Sequence, residues 1–203
     1  MERIISYIDG FNLYFGLKSK NWQRYYWLNL QLLCTKLLKT DQKLLLTKYF
    51  TSRIKNPPDK VKRQTTYIEA LETLNDFHIY YGKYYDNPKV CQTCGSISPN
   101  PNEKMTDVNI AVELLSDAFQ NKFDSALLIS ADSDLFSPLR KVKELFPQKR
   151  VIVAFPPDRF SYELSKISHA NFIIGRKKLA DSVFPLEIVK KDGFKLSKPK
   201  RWK

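Results

Sequence analysis

Ser125-Ala126-Leu127-Leu128-Ile129-Ser130-Ala131-Asp132-Ser133-Asp134 is the stretch that decides the fold. Its apolar run has no polar alternation, as expected of a strand covered on both faces in a parallel sheet. Two carboxylates follow it at once. The pattern recurs near the start of the chain, where Ile4-Ile5-Ser6-Tyr7-Ile8 closes on Asp9. Open α/β sheets place ligands in the crevice beyond the carboxyl ends of their strands. Strands lying side by side would bring these acids together there. A hard cation such as Mg²⁺ or Mn²⁺ relieves the repulsion of such a cluster.

Outward from these two strands, apolar runs and helical spacing alternate. Strands are expected at 3–9, 44–54, 78–85, 125–130, 150–155 and 171–174. Helices are expected at 11–18, 28–38, 59–77, 106–119, 135–146 and 160–167, with Pro138 in a first turn, where proline is tolerated. This order predicts an α/β fold with a mostly parallel central sheet flanked by helices. Residues 86–105, rich in Pro, Asn, Ser and Gly, read as a long loop carrying Cys91-Gln92-Thr93-Cys94. We take 1–176 as the main domain, with that loop as an insertion. Residues 177–203 read as a basic extension; its stretch from Lys190 to Lys203, with seven cations against only Asp192, reads as a basic tail expected to be disordered without a partner.

The 203 residues carry a net charge of +13, which attracts polyanions. An acidic site on a basic protein points to phosphodiester chemistry on nucleic acid. An anionic membrane surface competes less well. No apolar stretch approaches the ~20 residues needed to span a bilayer, and the first residues lack the pattern of a signal peptide. Three cysteines, an odd number, argue against a disulfide framework and suit a reducing cytoplasm.

Asp107 is the most telling single position. At about 100° per residue, Ile110, Ala111, Leu114, Leu115 and Ala118 make the buried stripe of its helix, and Asp107 falls near the middle of that stripe. Asn109, Glu113 and Ser116 fall opposite. A first-turn carboxylate suits the helix dipole, which accounts for an acid there but not for its orientation. Asp134 can serve as an N-cap for the next helix; Asp132 has no such structural explanation. Gly10 permits a tight turn after Asp9. Asn12 either caps the following helix or holds a metal-bound water or a phosphate.

Ile8-Asp9-Gly10-Phe11-Asn12-Leu13, Lys104-Met105-Thr106-Asp107-Val108 and Leu128-Ile129-Ser130-Ala131-Asp132-Ser133-Asp134 together resemble the NYN domains, PIN-like metal-dependent ribonucleases of the LabA-like group. The resemblance runs from about residue 3 to about residue 175 and implies a PIN-like three-layer sandwich. It matches Asp9, Asp107, Asp132 and Asp134 to the acidic Mg²⁺ or Mn²⁺ site, and Asn12 to the family's neighbouring asparagine. Two departures stand out. Met105-Thr106 follows Lys104 where members often have Lys-Gly, and Glu113 stands where many have a second helix aspartate. Helix geometry puts Glu113 on the polar side, so it is not counted as a ligand. The implied activity is RNA hydrolysis leaving a 5′-phosphate and a 3′-hydroxyl, with no histidine required. His78 and His169 read as structural, and Ser130 and Ser133 lack a histidine for a nucleophilic triad.

Cys91 and Cys94 look like half a zinc knuckle, shared across a homodimer or acting as a redox pair instead. Cys34 reads as core. Arg53, Lys55, Lys60, Lys62, Arg63, Arg140 and the basic tail can grip an RNA backbone, though each alone suits a solvated surface. Tyr80, Tyr81, Tyr84 and Tyr85 suit packing better than base stacking. DNA as substrate remains open. The rivals are a non-catalytic RNA-binding or regulatory module and a Mn²⁺-dependent glycosyltransferase using Asp132-Ser133-Asp134. The latter leaves Asp107 and the positive charge unexplained.

Overall fold

In the computed structural model, which describes residues 1–86, 89–98 and 101–202, the strand β1 (Glu2–Asp9) lies inside a six-stranded sheet. It is followed by α1 (Gly10–Ser19), α2 (Leu30–Leu37), β2 (Gln42–Thr51), α3 (Pro58–Leu71) and β3 (Phe77–Tyr81). The segment before the next long helix holds β4 (Lys83–Asp86), β5 (Lys89–Val90), β6 (Ile97–Ser98) and β7 (Pro101–Lys104). Then come α4 (Thr106–Phe119), β8 (Ser125–Ile129), α5 (Phe136–Leu145), β9 (Arg150–Phe155), α6 (Tyr162–Ile167), β10 (Ala170–Ile173) and α7 (Arg176–Ala180). The chain ends with β11 (Glu187–Val189), β12 (Lys195–Ser197) and a 3-10 turn at Lys200–Trp202.

The sheet runs β10-β9-β8-β1-β2-β3 and every pairing in it is parallel. Strand order therefore reverses between β1 and β8, which is where a doubly wound sheet opens its binding crevice. The β1–β8 register sets Ile8 against Ile129, so Asp9 and Ser130 emerge together at that crevice. Side chains alternate across β1. Ile4 and Ile8 join a core with α1, α2, α3 and α7. Ile5 and Tyr7 join a second core with α4, α5 and α6. Three layers result, as the sequence predicts.

The helix starts follow local chemistry. Asp9 caps α1 by accepting the Asn12 backbone N–H at 2.9 Å, Asn29 caps α2 in the same way and Ser161 caps α6. A Cβ at Gly10 would lie 2.7 Å from the Phe50 carbonyl and the Tyr49 ring, so only glycine fits between β1 and β2. The α4 limits match the expectation. Its buried face is rotated slightly: Ile110, Leu114 and Ala118 are buried, Ala111 and Leu115 half-buried, and Asp117 is buried among them.

That burial corrects the placement of Glu113. Lys48 on β2 is 2% exposed. Its Nζ ion-pairs with Glu113 at 2.6 Å and with Asp117. Tyr7 donates to Asp117 at 2.7 Å, and burial beside that carboxylate pushes the Tyr7 phenol well up. Glu113 is thus a strut between α4 and the sheet rather than a solvent-facing residue.

Two segments differ from expectation. The predicted 86–105 loop is part of a paired arm: β4 pairs antiparallel with β7, and β5 with β6. Its positions 87, 88, 99 and 100 lie outside the described residues. Backbone ladders need no apolar alternation, which is why composition alone suggested a loop. The basic extension is also folded, up to Lys203, which is not among the described residues. β11 and β12 form a hairpin, Leu196 is buried in the first core, and Trp202 meets Tyr26, Trp27 and Tyr67 at 5.8, 6.3 and 6.0 Å. The Trp27 ring N–H donates to the Pro185 carbonyl at 2.8 Å. Charge counting hid these few apolar anchors. Among the described residues no helix is long and apolar enough to cross a membrane.

Replacing Lys48 by Ala leaves the half-buried Glu113 without a cation and the buried Asp117 with only the exposed Lys122, at 3.3 Å. We expect a loss of about 3–5 kcal/mol, read by urea unfolding. A loss below about 1 kcal/mol would show that the strut contributes no more than a surface ion pair.

Candidate active site

Asp9, Asp107 and Asp132 each offer a carboxylate oxygen within 4.8 Å of the others. Three elements supply them: the end of β1, the first turn of α4 and the loop after β8. The sheet alternation explains the first. Asp9 follows Ile5 and Tyr7 on the face that α4 covers, so it points toward the helix bearing Asp107. Met105, with φ +80°, makes the left-handed turn that starts α4 just before Asp107.

Hydrogen bonds fix these acids. Asp9, 3% exposed, accepts the Asn12 N–H on Oδ1 and the Ser130 hydroxyl on Oδ2, each at 2.9 Å. Ser130 Oγ in turn accepts the Asp132 N–H at 3.0 Å. Asp132 Oδ1 accepts the Asp134 N–H at 3.0 Å and caps the following 3-10 turn. Asn12 Oδ1 accepts the Ala131 N–H at 3.2 Å, tying the β8 loop to α1. The helix cap is therefore Asp9 rather than Asn12, whose side chain braces the loop. Ser130 is a site residue that the sequence reading missed except as an unlikely nucleophile. Its place directly after an apolar strand and two residues before Asp132 was the available signal.

The other expected residues lie apart. Asp134 is exposed and outside the group of three. Arg53 is exposed at the end of β2, over the Tyr81 ring at 4.9 Å and donating to its hydroxyl at 3.0 Å. Lys55 is exposed near it. Arg140 lies on α5, 3.6 Å from Glu144 and over Phe136. Cys91 and Cys94 are exposed, with Cys94 Sγ 3.1 Å from Ser96 Oγ. That hydrogen bond lowers the Cys94 thiol to about 7. Among the described residues, the three aspartates are the one group of three or more such side chains close enough to share a metal, and neither cysteine belongs to it. Cys34 is buried in the first core, which pushes its thiol up to about 12. His169 accepts the Val151 N–H at 3.1 Å, a structural contact, and burial lowers its pKa.

The model of the NYN domain family matches residues 3–176. The chain belongs to the NYN domain family. Residues 177–202 pack onto this NYN domain from beyond the matched segment. A relative, 6-hydroxy-3-succinoylpyridine 3-monooxygenase HspA of Pseudomonas putida, is 31% identical over an alignment covering 68% of this chain and 54% of that protein. The chain thus spans about half the length of that curated relative. A crystal structure of a Vibrio parahaemolyticus protein of unknown function shares the fold, with a TM-score of 0.57 at 16% identity, covering 90% of this chain and 96% of that one.

Three carboxylates this close are an oxygen donor set that suits a hard divalent cation and destabilises itself without one. If Mn²⁺ fills the cluster, Mn²⁺ at about 100 times its Kd should add about 2.7 kcal/mol to stability, read as a rise in Tm. Asp132→Asn keeps the oxygen that accepts the Asp134 N–H. We expect this variant to match or exceed the wild-type Tm in chelator, and to show no rise with Mn²⁺. A variant less stable in chelator that still responds to Mn²⁺ would contradict the site.

Proposed function

We propose that the protein is a metal-dependent ribonuclease that hydrolyses RNA phosphodiester bonds. The observation that carries this reading is the Asp9–Asp107–Asp132 cluster at the strand-order reversal of an NYN domain. Mg²⁺ or Mn²⁺ held by these three would lower the pKa of a bound water and offset charge developing on the phosphate. The chain's own contribution is positioning. The Asn12 N–H and the Ser130 hydroxyl orient Asp9, and the capping bond from the Asp134 N–H orients Asp132. Asp134 serves this arrangement through its backbone. Arg53 and Lys55, just beyond β2, and Arg140 on α5 are exposed cations that would contact backbone phosphates. The charge of +13 raises the encounter rate with a polyanion. Hydrolysis leaves a 5′-phosphate and a 3′-hydroxyl.

The Pseudomonas putida relative supports a second reading, oxygenation of a hydroxylated pyridine ring. Its expected signature is oxygen consumption dependent on such a ring and a reductant, with RNA left intact.

End-labelled RNA incubated with Mn²⁺ or Mg²⁺ tests the first reading. Wild type should cleave only with metal, and Asp132→Asn should lose ~10²-fold or more of the rate. RNA bound but left whole under both metals would leave a non-catalytic RNA-binding module. Equal cleavage by both proteins would place the chemistry elsewhere.

A further inference from the structure

We infer that a cavity between α1, α3 and the carboxy-terminal 3-10 turn binds one unpaired nucleotide of the RNA. Its base would lie among aromatic rings and its phosphate against a basic rim. The inference rests on the ribonuclease reading and adds to it a nucleotide subsite outside the aspartate cluster.

The cavity has a volume of about 490 Å³ and begins at Gly10, the residue bonded to Asp9. That size falls within the ~300–1,000 Å³ of small-ligand sites. Its floor is apolar and its walls are rings. Tyr14 is 39% exposed and stands 5.0 Å from Tyr26; Tyr26 and Tyr67 each meet Trp202 nearly edge-on. Trp202 belongs to the terminal segment that folds back over the domain, so this wall lies beyond the residues the family model matches.

The charge around the cavity is one-sided. Lys18, Lys60, Arg63 and Arg201 line it, and no carboxylate does among the described residues. Asp59 stands outside, 2.7 Å from Arg63 and 3.7 Å from Arg201, one carboxylate against two guanidiniums. A basic, ring-lined cavity next to an acidic cluster suits a ligand with a flat π-face and an anionic group. A nucleotide has both. Every base offers a face to stack, so such a pocket tolerates sequence. Bases inside a duplex are already stacked and paired, so a pocket that takes one base selects single strands. Gly10 and Thr51 among the lining set the cavity at the carboxyl ends of β1 and β2, so a strand with a base seated there would run along that edge of the sheet toward Asp9.

The test measures fluorescence anisotropy of a labelled single-stranded oligoribonucleotide and its duplex, in EDTA, on the full chain. Tyr14→Ala should weaken single-strand binding about tenfold and leave duplex binding unchanged. Tyr14→Phe, which keeps the ring, should retain the affinity. Arg63→Gln should reduce the salt dependence by about one phosphate contact. Equal single-strand affinity in Tyr14→Ala and wild type, or equal losses on duplex and single strand, would overturn the inference. So would competition by a free hydroxypyridine but not by a nucleoside 5′-monophosphate. The two readings can fail separately. A Tyr14-dependent preference for single strands with no hydrolysis in Mn²⁺ would keep the pocket and end the ribonuclease reading. Metal-dependent hydrolysis with an unchanged KM in Tyr14→Ala would do the reverse.

Discussion

The hydrogen bond from Ser130 Oγ to Asp9 Oδ2 joins the ends of β1 and β8 at the point where the sheet reverses its order. Asp9 also caps α1, and Ser130 also holds the Asp132 backbone. One buried carboxylate thus fixes a helix start and two strand ends at once. A buried charge is tolerated only when its oxygens are satisfied, and here both accept donors. This ties the stability of the crevice to the geometry of the site. The Lys48–Glu113–Asp117 strut does the same for the third element, because it holds α4, and with it Asp107, against β2.

Much of this was legible in the residues. β1, β8 and β9 read correctly because strands covered on both faces leave unbroken apolar runs. Asp107 was legible because a carboxylate on the apolar stripe of α4 has to be explained. Lys48 and Asp117 carried the same kind of signal, a charge at an inward position, but as partners far apart in sequence they give no local clue to each other. Asp134 looked equivalent to Asp132. A shift of two residues in a loop turns a side chain elsewhere, and only the 3-10 turn after Asp132 decides which one faces Asp9. The terminal extension was misread because its charge is dense and its anchors, Leu196 and Trp202, are few. Hairpins and short turns need only isolated apolar contacts to dock.

Charge is distributed here with a consequence for selectivity. Three aspartates converge at the crevice of a chain that is otherwise strongly basic, and among the described residues the adjoining cavity is lined by cations and by no carboxylate. A polyanion is drawn to the protein by its overall field but repelled by the acidic cluster itself, unless a cation sits there. On the ribonuclease reading, metal and RNA would be coupled ligands: each would make the other's binding more favourable, and the coupling would be reciprocal.

Anomalous diffraction from crystals grown with Mn²⁺ and an uncleavable RNA strand tests the central claim most directly. The account predicts a manganese peak in contact with Asp9, Asp107 and Asp132, with a phosphate oxygen beside it. Manganese bound at Asp134 or elsewhere, with the three-aspartate cluster empty at saturating metal, would contradict it.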